Sequence, residues 1–347
     1  MAGAGDVLVK PVVVSRPDRV GDVIITSACI PLVRELYPDA PVMLLACSIM
    51  EDVFSGEGSV DGFIAYNGIA DRMELTRRIS ELNPAAIYHF HPDVEIQQVA
   101  AEVGIPLRVG FSDGVQASGL TDALPYLKSE GTMHEAQYCR QLLCETSGKT
   151  LNEIQTASIS PDPAAHDRLK QKAPWLEHDE VRIAINPTAA RLALRWPPEH
   201  FAVLIYALAQ DGTRIVLIGH PENDPALIYL REKMAGLGGV WSDLSGQLDL
   251  AESAWLLSYC NLHISRDTGT SHLAAAMGCP TLTIFGRREP EYGPLRWRPL
   301  DTQGHVIKAE TNKRWWETRR QFWKRSFRSI ESDRVIHKAQ EILKTGR

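Results

Sequence analysis

Short apolar runs alternate with helical patterns along this 347-residue chain. In the N-terminal part the runs are rich in Val, Ile and Leu and are bounded by polar or turn-forming residues, which is typical of buried strands. They predict strands at Val12–Val14, Val42–Ala46, Phe63–Ala65 and Ile87–His89. Helical spacing of apolar residues predicts helices over 22–36, 71–82 and about 94–103. This alternation predicts a parallel sheet with helices on both faces.

The pattern is interrupted at Ile159–Pro163 and again at Ala173–Trp175, and then restarts. The restart predicts strands at Val181–Asn186, Arg214–Gly219, Val240–Trp241, 261–265 and 280–285. It predicts helices over 199–210, 224–235, 250–258 and 270–277, with a final helix over Ile330–Leu343. The sequence therefore predicts an α/β protein with two doubly wound domains, over 1–160 and 161–329, followed by a C-terminal helix at 330–347.

The turn Asp267-Thr-Gly-Thr-Ser-His272, which opens the helix after strand 261–265, has the composition of an anion site. The first N–H groups of a helix have no partner within the helix, and the helix dipole favours negative charge there. Hydroxyls of Thr268, Thr270 and Ser271 add donors, and His272 lies in the same first turn. The alternative is an ordinary strand–helix turn in which Asp267 is the N-cap and His272 is a packed histidine.

A second loop, Arg16-Pro-Asp-Arg-Val-Gly21, follows the first predicted strand and leads into the helix that begins at Asp22. Ligands of doubly wound sheets bind outside the carboxyl ends of the strands. Both loops follow such strand ends, so we expect them to face each other across an interdomain cleft.

These two loops resemble those of the ADP-heptose:lipopolysaccharide heptosyltransferase family, glycosyltransferase family 9. The likeness is carried by Arg19-Val-Gly-Asp22 and by Asp267–His272 with Phe285-Gly286. Three further stretches are similar to the family in the same order, at Gly104–Phe111, Arg195–Phe201 and Leu244–Glu252. The resemblance implies the GT-B fold, in which two Rossmann-like doubly wound parallel-sheet domains face an interdomain cleft and the last helix packs back on the N-terminal domain.

The resemblance also implies an activity. The protein would be an inverting, metal-independent glycosyltransferase that moves a heptose or a related sugar from an ADP-sugar to a lipopolysaccharide core-type or other glycan acceptor. No cofactor or metal is expected, because no DxD-type motif stands out and a helix N-terminus with Arg can replace Mg²⁺ at a diphosphate. Two alternatives stay open: a nucleotide-sugar epimerase of similar two-domain fold, and a nucleotide-sugar-binding protein that has lost catalysis.

Asp22 is the candidate base, because the matching Asp of the family has that role. Its place at the start of a helix predicts that the dipole keeps it ionised, as a weak base that is always available. The alternative is that Asp22 only caps the helix.

The candidate donor site holds the diphosphate and the sugar at the turn after strand 261–265. The diphosphate ligands are expected to be Thr268, Gly269, Thr270, Ser271 and His272. Asp267 resembles the family acid that contacts the sugar hydroxyls.

Three more donor residues are expected on other loops. Thr188 follows strand Val181–Asn186 and is placed to touch phosphate, and Glu222 follows another strand end and is the candidate for the ribose hydroxyls. Leu194 stands where many relatives have a Lys that meets the diphosphate. Arg195 is the preferred replacement, with Arg191 as the alternative, because a guanidinium suits a bidentate phosphate contact.

His89 and His91 follow a strand end in the N-terminal domain and are candidates for an acceptor pocket, together with Arg72, which suits an anionic acceptor. The two histidines have the spacing of metal ligands, but no third ligand is identifiable near them. Arg72 is equally explained as a surface charge.

Composition sets limits on the other partners. Apolar residues at 44% and charged residues at 23% are typical of a soluble globular protein. No stretch approaches the roughly 20 apolar residues of a membrane span. Met1–Asp6 has neither the basic start nor the apolar centre of a secretory signal, and the six cysteines form no CxxC pair. We expect a cytoplasmic protein with reduced thiols and no nucleic-acid partner.

The net charge of −6 is unevenly distributed. Lys313–Arg328 carries seven basic residues and one acidic residue, so it contributes +6 and the rest of the chain −12. Read as one helix over 312–328, the segment has Trp316, Trp323 and Phe327 on one face and basic residues on the other. The pattern predicts either peripheral contact with the anionic inner face of the cytoplasmic membrane or an aromatic face packed on the protein.

Overall fold

The computed structural model describes residues 9–112, 119–125, 127–188, 194–210, 212–300 and 304–345. The chain divides into two compact units. The first comprises Met1–Lys128 and Glu135–Ser160, and the second comprises Ser129–His134 and Pro161–Arg347. The division after Ser160 falls within the interruption seen in the sequence pattern.

The first unit contains one sheet of six parallel strands, in the order β3-β2-β1-β4-β5-β6. The strands are β1 (Val12–Ser15), β2 (Val42–Ala46), β3 (Gly62–Ala65), β4 (Ala86–His89), β5 (Leu107–Ser112) and β6 (Asp122–Pro125). The helices are α1 (Val20–Ser27), α2 (Ile30–Leu36), α3 (Arg72–Leu82), α4 (Val94–Glu102) and α5 (Glu135–Ser147).

The second unit also contains six parallel strands, in the order β12-β11-β10-β7-β8-β9. The strands are β7 (Val181–Asn186), β8 (Thr213–Leu217), β9 (Trp241–Asp243), β10 (Leu262–Arg266), β11 (Thr281–Phe285) and β12 (His305–Lys308). The helices are α6 (Pro163–Lys172), α7 (Pro198–Leu208), α8 (Pro225–Met234), α9 (Leu250–Ser258), α10 (Gly269–Ala276), α11 (Pro294–Trp297), α12 (Arg319–Arg328) and α13 (Ser332–Thr345).

The same strand order in both units creates one topological switch point in each sheet. The first and fourth strands of a unit lie side by side, so that β1 pairs with β4 and β7 with β10. From that pair the chain winds outward in opposite directions, which leaves a crevice beyond the carboxyl ends of the two strands. Each of the four strands is buried and ends in a polar residue: Ser15, His89, Asn186 and Arg266.

The predicted α/β class with two doubly wound parallel sheets is confirmed. Buried apolar strand residues such as Val13 and Ile87 in the first unit and Ile183 and Ile264 in the second form the cores against the helices. The strands are apolar on both faces because helices cover both sides of a parallel sheet.

The helix predicted over 22–36 is interrupted. The structure has α1 and α2 in its place, with Ala28 and Cys29 between them and Pro31 in the first turn of α2. Proline lacks the N–H that an uninterrupted helix needs, and its ring would collide with the carbonyl of Ser27 four residues earlier.

The C-terminal helix α13 packs into the second unit. Val335, Ala339 and Ile342 recur at helical spacing and lie in that unit's hydrophobic core, next to α7. The indole N–H of Trp196 donates to the carbonyl of Ile330 at 2.9 Å, which holds the entry to the helix. This packing corrects the expectation that residues 330–347 pack back on the N-terminal domain.

The segment 312–328 is not one helix. Helix α12 begins only at Arg319, because Thr318 and Gln321 form a capping box that starts it there. Phe322 and Phe327 are buried in the second unit. A Cβ at Gly286 would lie 2.3 Å from the ring of Phe327, so the glycine after β11 allows this packing.

Trp315 and Trp316 precede α12 and are exposed, so the aromatic face drawn from the sequence does not exist as one stripe. Within the described ranges, every helix is too short or too polar to span a bilayer. The six cysteines are free thiols, and Cys29, Cys139, Cys260 and Cys279 are buried.

Candidate active site

In the first unit, the buried guanidinium of Arg16 lies among three carboxylates just beyond β1. Its Nη2 donates to Asp22 Oδ1 at 2.8 Å and its Nε to Asp18 Oδ1 at 2.7 Å. Its Nη1 donates to Glu135 Oε1 and to the carbonyl of Phe90, both at 2.9 Å. Arg16 therefore fixes the position of Asp22 relative to the carboxyl ends of β1 and β4.

Glu135 is shared by a second cation. Lys128 Nζ donates to Glu135 Oε1 at 2.6 Å and to the Phe90 carbonyl at 3.0 Å, and it lies 4.2 Å from the centre of the Phe111 ring. Glu135 and Lys128 are almost completely buried. The group thus combines two cations with three carboxylates and carries one excess negative charge.

This environment sets the pKa of Asp22. The pKa of Asp22 is raised to about 6, mainly because the carboxylate is buried; Arg16 lowers the pKa, and Asp18 and Glu135 add to the rise. The expectation of a weak base kept fully ionised by the helix dipole is therefore wrong. Loss of hydration and neighbouring negative charge outweigh the dipole, and an Asp with this pKa is a stronger base near neutral pH.

The capping alternative for Asp22 is also wrong. Helix α1 begins at Val20 with Arg19 as its N-cap, and no side chain caps it. Asp22 lies in the first turn with its side chain turned to Arg16.

The three candidate acceptor residues have different surroundings. His91 is partly exposed, and its Nδ1 lies 3.6 Å from Asp18 Oδ2, so it is next to the Arg16 group. Burial lowers the pKa of His91. His89 is completely buried at the end of the central strand β4, and burial lowers its pKa to about 3. His89 therefore forms part of the core and offers no acceptor-binding surface, in contrast to the expectation.

Arg72 is engaged in ion pairs on the first unit's surface. Its guanidinium donates to Glu95 at 2.5 Å and to both oxygens of Glu102 at 2.7 and 2.8 Å. It bridges α3 and α4 in this way, as a surface charge would. The structure does not group it with Asp22.

In the second unit, the turn between β10 and α10 carries a network of hydroxyl groups. Thr268 is the extended N-cap of α10, and its Oγ1 lies 2.9 Å from Thr270 Oγ1. Thr268, Gly269 and Thr270 are partly exposed. Ser271 is completely buried, and its hydroxyl donates to the carbonyl of Arg266 at 2.9 Å. Its hydroxyl is therefore not exposed to a ligand, in contrast to the expectation.

A second strand end joins this turn. Asn186 at the end of β7 donates from Nδ2 to Thr270 Oγ1 at 3.0 Å, and its Oδ1 accepts from Thr188 N and Oγ1 at 2.9 and 2.7 Å. Gly219 follows β8 with φ of +137°, and a Cβ there would lie 2.7 Å from Thr188 Cγ2. Thr188, Thr268 and Thr270, which the sequence analysis expects at the diphosphate, are therefore brought together beside Asn186 at the switch point.

Asp267 and His272 flank the turn. Asp267 Oδ2 accepts from Arg287 Nη2 at 2.7 Å, and His272 Nε2 lies 3.9 Å from Asp267 Oδ1. Burial lowers the pKa of His272 to about 4, so its imidazole is neutral at physiological pH. The guanidinium of Arg287 is stacked 4.9 Å from the ring centre of Tyr292.

The expected cation Arg195 is held elsewhere. Both terminal nitrogens of its guanidinium donate to the buried carboxylate of Asp224, which is the N-cap of α8. The side chain of Leu194 lies in the core, and its carbonyl accepts from Arg266 Nη1 at 3.1 Å. Arg191, the alternative, lies outside the described residues.

Glu222 lies on the exposed loop after β8. Its Cβ approaches Gly246, and its carbonyl accepts from Arg231 Nη1 at 2.8 Å. The carboxylate is thus at the carboxyl end of the sheet and exposed to solvent, as a ribose ligand would need to be.

Several residues of the two sites were missed by the sequence reasoning. They are Arg16, Asp18, Lys128 and Glu135 in the first unit, and Asn186 and Arg287 in the second. Asn186 and Arg287 stand at or just after a strand end beside the switch point, which is a usable signal. Across the parts of the chain that the structure describes, no three His, Cys, Asp or Glu side chains are grouped to hold a metal ion.

The two sheets and their switch-point loops have the GT-B fold. The structure matches that of the E. coli ADP-heptose LPS heptosyltransferase II with a TM-score of 0.79 and 20% identity, covering 96% of this chain and 99% of that one. It matches the E. coli heptosyltransferase WaaC, solved with ADP, with a TM-score of 0.74 and 17% identity, covering 96% and 99%.

The sequence comparisons identify the family. The family model for glycosyltransferase family 9 (heptosyltransferase) matches residues 98–321. The chain is 22% identical over 311 residues to lipopolysaccharide heptosyltransferase 2 of Escherichia coli (strain K12), covering 86% of this chain and 88% of that protein. The chain belongs to glycosyltransferase family 9. This membership favours a transferase over the epimerase considered from the sequence.

Proposed function

We propose that this glycosyltransferase moves a heptose from ADP-heptose to a sugar hydroxyl of a lipopolysaccharide-type acceptor, with inversion at the anomeric carbon. The names of the relatives support this proposal, since one is a lipopolysaccharide heptosyltransferase and another was solved with ADP. In this proposal the first unit supplies the base and the second unit binds the donor.

Asp22 is the proposed base. Its carboxylate takes the proton of the acceptor hydroxyl as that oxygen attacks the anomeric carbon of the donor. With a pKa of about 6, roughly 90% of Asp22 is ionised at pH 7 and ready to accept a proton. Arg16 keeps the carboxylate in place, and Glu135 with Lys128 keeps Arg16 in place. His91, beside Asp18, is the proposed contact for the acceptor.

The turn at the start of α10 is the proposed diphosphate site. The first N–H groups of the helix and the hydroxyls of Thr268 and Thr270 donate to phosphate oxygens, with Thr188 behind them. As the bond between sugar and phosphate breaks, its electron pair passes to the diphosphate oxygen, and these donors stabilise the charge. Inversion follows because a single displacement forms and breaks the two bonds on opposite faces.

Other donor contacts complete the proposal. Asp267 binds sugar hydroxyls, and Glu222 binds the ribose. Arg287, which donates to Asp267 at 2.7 Å, is a cation beside this turn, and in this proposal it supplies the diphosphate contact that Leu194 lacks. We propose that transfer proceeds without a divalent metal, since helix N–H groups and an Arg supply positive potential.

The observation that carries the proposal is the position of Asp22, which Arg16 holds inside a buried ionic group at a switch point and whose pKa this environment raises. A carboxylate whose only role is structural gains stability from a lowered pKa, whereas a general base needs a pKa near the working pH.

The first test is nucleotide binding by thermal shift with ADP, UDP, GDP and CMP, each with Mg²⁺ or with EDTA. A ligand at 100 times its dissociation constant stabilises the folded state by about 2.7 kcal/mol. We expect a shift with ADP that EDTA does not remove, followed by release of ADP when ADP-heptose and a lipopolysaccharide acceptor are both supplied. A shift with UDP or GDP but not with ADP would contradict ADP-heptose as the donor. ADP binding without turnover would indicate a nucleotide-sugar-binding protein that has lost catalysis.

A further inference from the structure

Two tryptophan side chains project from the turn that precedes α12. Trp315 is 91% exposed and Trp316 is 61% exposed. Their rings meet edge to face with centres 5.5 Å apart. Among the large apolar side chains that the structure describes, Trp315 is the most exposed. Leaving two indole rings in water is costly, so their exposure points to a surface that they enter.

The turn is fixed to the helix rather than loose. Arg325 on α12 donates from Nε and Nη2 to the two oxygens of Glu317 at 2.7 and 2.8 Å, and from Nη2 to the carbonyl of Asn312 at 2.8 Å. Glu317 also accepts from the backbone N–H of Arg314 at 2.8 Å. These bonds close the turn beside the helix and neutralise its acidic residue.

A row of exposed basic side chains runs along the same part of α12. Arg320, Lys324 and Arg328 follow at four-residue intervals and are exposed, while Phe322 and Ser326 on the opposite side are buried. Arg325 adjoins this row of basic side chains. Because Arg325 binds Glu317, it places the turn next to the row.

The turn adds two more cations. Lys313 and Arg314 are exposed beside the tryptophans, and the guanidinium of Arg314 lies 5.7 Å from the ring centre of Trp316. We name the whole patch the Trp–Arg surface; its members are Lys313, Arg314, Trp315, Trp316, Arg320, Lys324 and Arg328.

We propose that the Trp–Arg surface docks this protein on an anionic lipid bilayer. Indole rings prefer the headgroup region, where the ring is dehydrated and the N–H stays hydrated. Basic side chains near an anionic leaflet each strengthen binding by roughly fivefold. The segment Lys313–Arg328 has a net charge of +6, and the rest of the chain has a net charge of −12. This asymmetry orients the protein with the Trp–Arg surface toward a negatively charged membrane.

Vesicle sedimentation of the full chain tests this proposal. Vesicles of phosphatidylcholine alone are compared with vesicles that also contain phosphatidylglycerol, at low and high salt. We expect binding only to the anionic vesicles, with weakening at high salt. Trp315→Ser/Trp316→Ser is expected to lower the partition coefficient by about tenfold or more. Arg320→Gln/Lys324→Gln/Arg328→Gln is expected to lower it by about a hundredfold.

Matched controls remove the same chemistry elsewhere. Ile69→Ser/Met73→Ser deletes two apolar side chains that are 75% and 86% exposed in the first unit. Lys10→Gln/Arg77→Gln/Lys149→Gln removes three exposed cations of that unit. Both are expected to bind anionic vesicles within about twofold of the wild-type protein, because each removes side chains outside the Trp–Arg surface.

Lipids with brominated acyl chains give a second readout, because bromine quenches the fluorescence of an indole only when that indole is inserted into the bilayer. Quenching that disappears in the Trp315→Ser/Trp316→Ser variant supports the proposal. Equal binding of that variant and the wild-type protein overturns it, as does binding to RNA or polyphosphate without lipid quenching. None of these readouts depends on glycosyl transfer, so their failure is distinct from failure of the proposed function.

Discussion

Arg16 Nη2 donates to Asp22 Oδ1 at 2.8 Å, and this pair joins the end of β1 to the first turn of α1. The same guanidinium binds Asp18 and Glu135, so Asp22 receives only part of its positive charge. Burial is the main cause of the raised pKa of Asp22, and this sharing explains why contact with an arginine does not reverse it. The pair therefore holds the carboxylate in place without removing its basicity.

Glu135→Gln tests this sharing. Glu135 raises the pKa of Asp22, so its removal is expected to move the acid limb of the pH–rate profile to lower pH and to lower the plateau rate. Breaking a buried ion pair also costs about 3–5 kcal/mol of stability, which is measured by urea unfolding.

Glu102→Gln is the matched control, since it removes a carboxylate that pairs with Arg72 on the surface. We expect it to keep the wild-type profile. An unchanged acid limb in Glu135→Gln would show that Glu135 has only a structural role, and Glu135→Asp should restore part of the profile if the charge is what matters.

Thr268→Val/Thr270→Val tests the diphosphate site. Each hydroxyl that donates to a charged phosphate contributes about 1.5–3 kcal/mol, so ADP affinity is expected to fall by at least tenfold for each residue that makes such a bond. Calorimetry with ADP measures the change. Thr283→Val on β11 is the control, because that hydroxyl is buried and has no hydrogen-bond partner among the described residues. Unchanged ADP affinity in the double variant would place the diphosphate elsewhere.

Gly219→Ala tests the contact between the ends of β8 and β7. A Cβ at Gly219 would lie 2.7 Å from Thr188 Cγ2 and 2.8 Å from Asn186 Oδ1. Overpacking of this kind costs about 1–3 kcal/mol, and displacement of Asn186 is expected to weaken ADP binding through Thr270. Thermal unfolding and calorimetry measure the two effects.

Gly212→Ala separates the backbone effect from the collision. Gly212 also has a positive φ, of +76°, but a Cβ there meets nothing within 4 Å. It is expected to lose some stability and no ADP affinity. Equal loss of ADP affinity in both variants would count against the Thr188–Asn186 contact.

His89→Gln tests the buried histidine of the first unit. Burial lowers the pKa of His89 to about 3 from the ordinary 6.5, so at acid pH the unfolded chain binds a proton that the folded protein does not. Stability is therefore lost as pH falls below about 6.5, by about 1.4 kcal/mol per pH unit for this residue. Urea unfolding at several pH values should give a shallower pH dependence for the variant. An identical dependence would contradict the buried, neutral state of His89.

Much of the fold was predictable from local pattern, and the exceptions have physical reasons. Strands such as Val42–Ala46 and Val181–Asn186 are apolar on both faces and stand out. The three strands that the sequence reasoning missed have weaker patterns. Arg108 and Gly110 interrupt the apolar run of β5, and β6 and β12 are edge strands with exposed residues.

The site was predictable only where its residues lie together in the sequence. The turn 267–270 follows a strand end, and its local pattern indicated an anion site, whereas the role expected of Asp22 came from the resemblance to glycosyltransferase family 9. Glu135 lies 119 residues from Arg16, and nothing local indicates that the two meet. The raised pKa of Asp22 follows mainly from burial, with a contribution from that distant partner, so the sequence predicted the wrong direction. The segment 312–328 was misjudged because a capping box at Thr318 overrides an apparently longer helical pattern.

The most direct test of this account is the pH dependence of kcat/KM for ADP-heptose and an acceptor, in the wild-type protein and in Asp22→Asn. Below about pH 6 the wild-type rate should fall tenfold per pH unit as Asp22 is protonated, and above it the rate should level off.

The rate of Asp22→Asn should be about 10²–10⁴-fold lower than that of the wild-type protein. Its pH–rate profile should lack the acid limb, and its affinity for ADP should be unchanged. Asp333→Asn, in the first turn of α13, is the matched control and should behave as the wild-type protein. An Asp22→Asn variant that keeps the wild-type rate, or the same acid limb at a lower rate, would contradict Asp22 as the base.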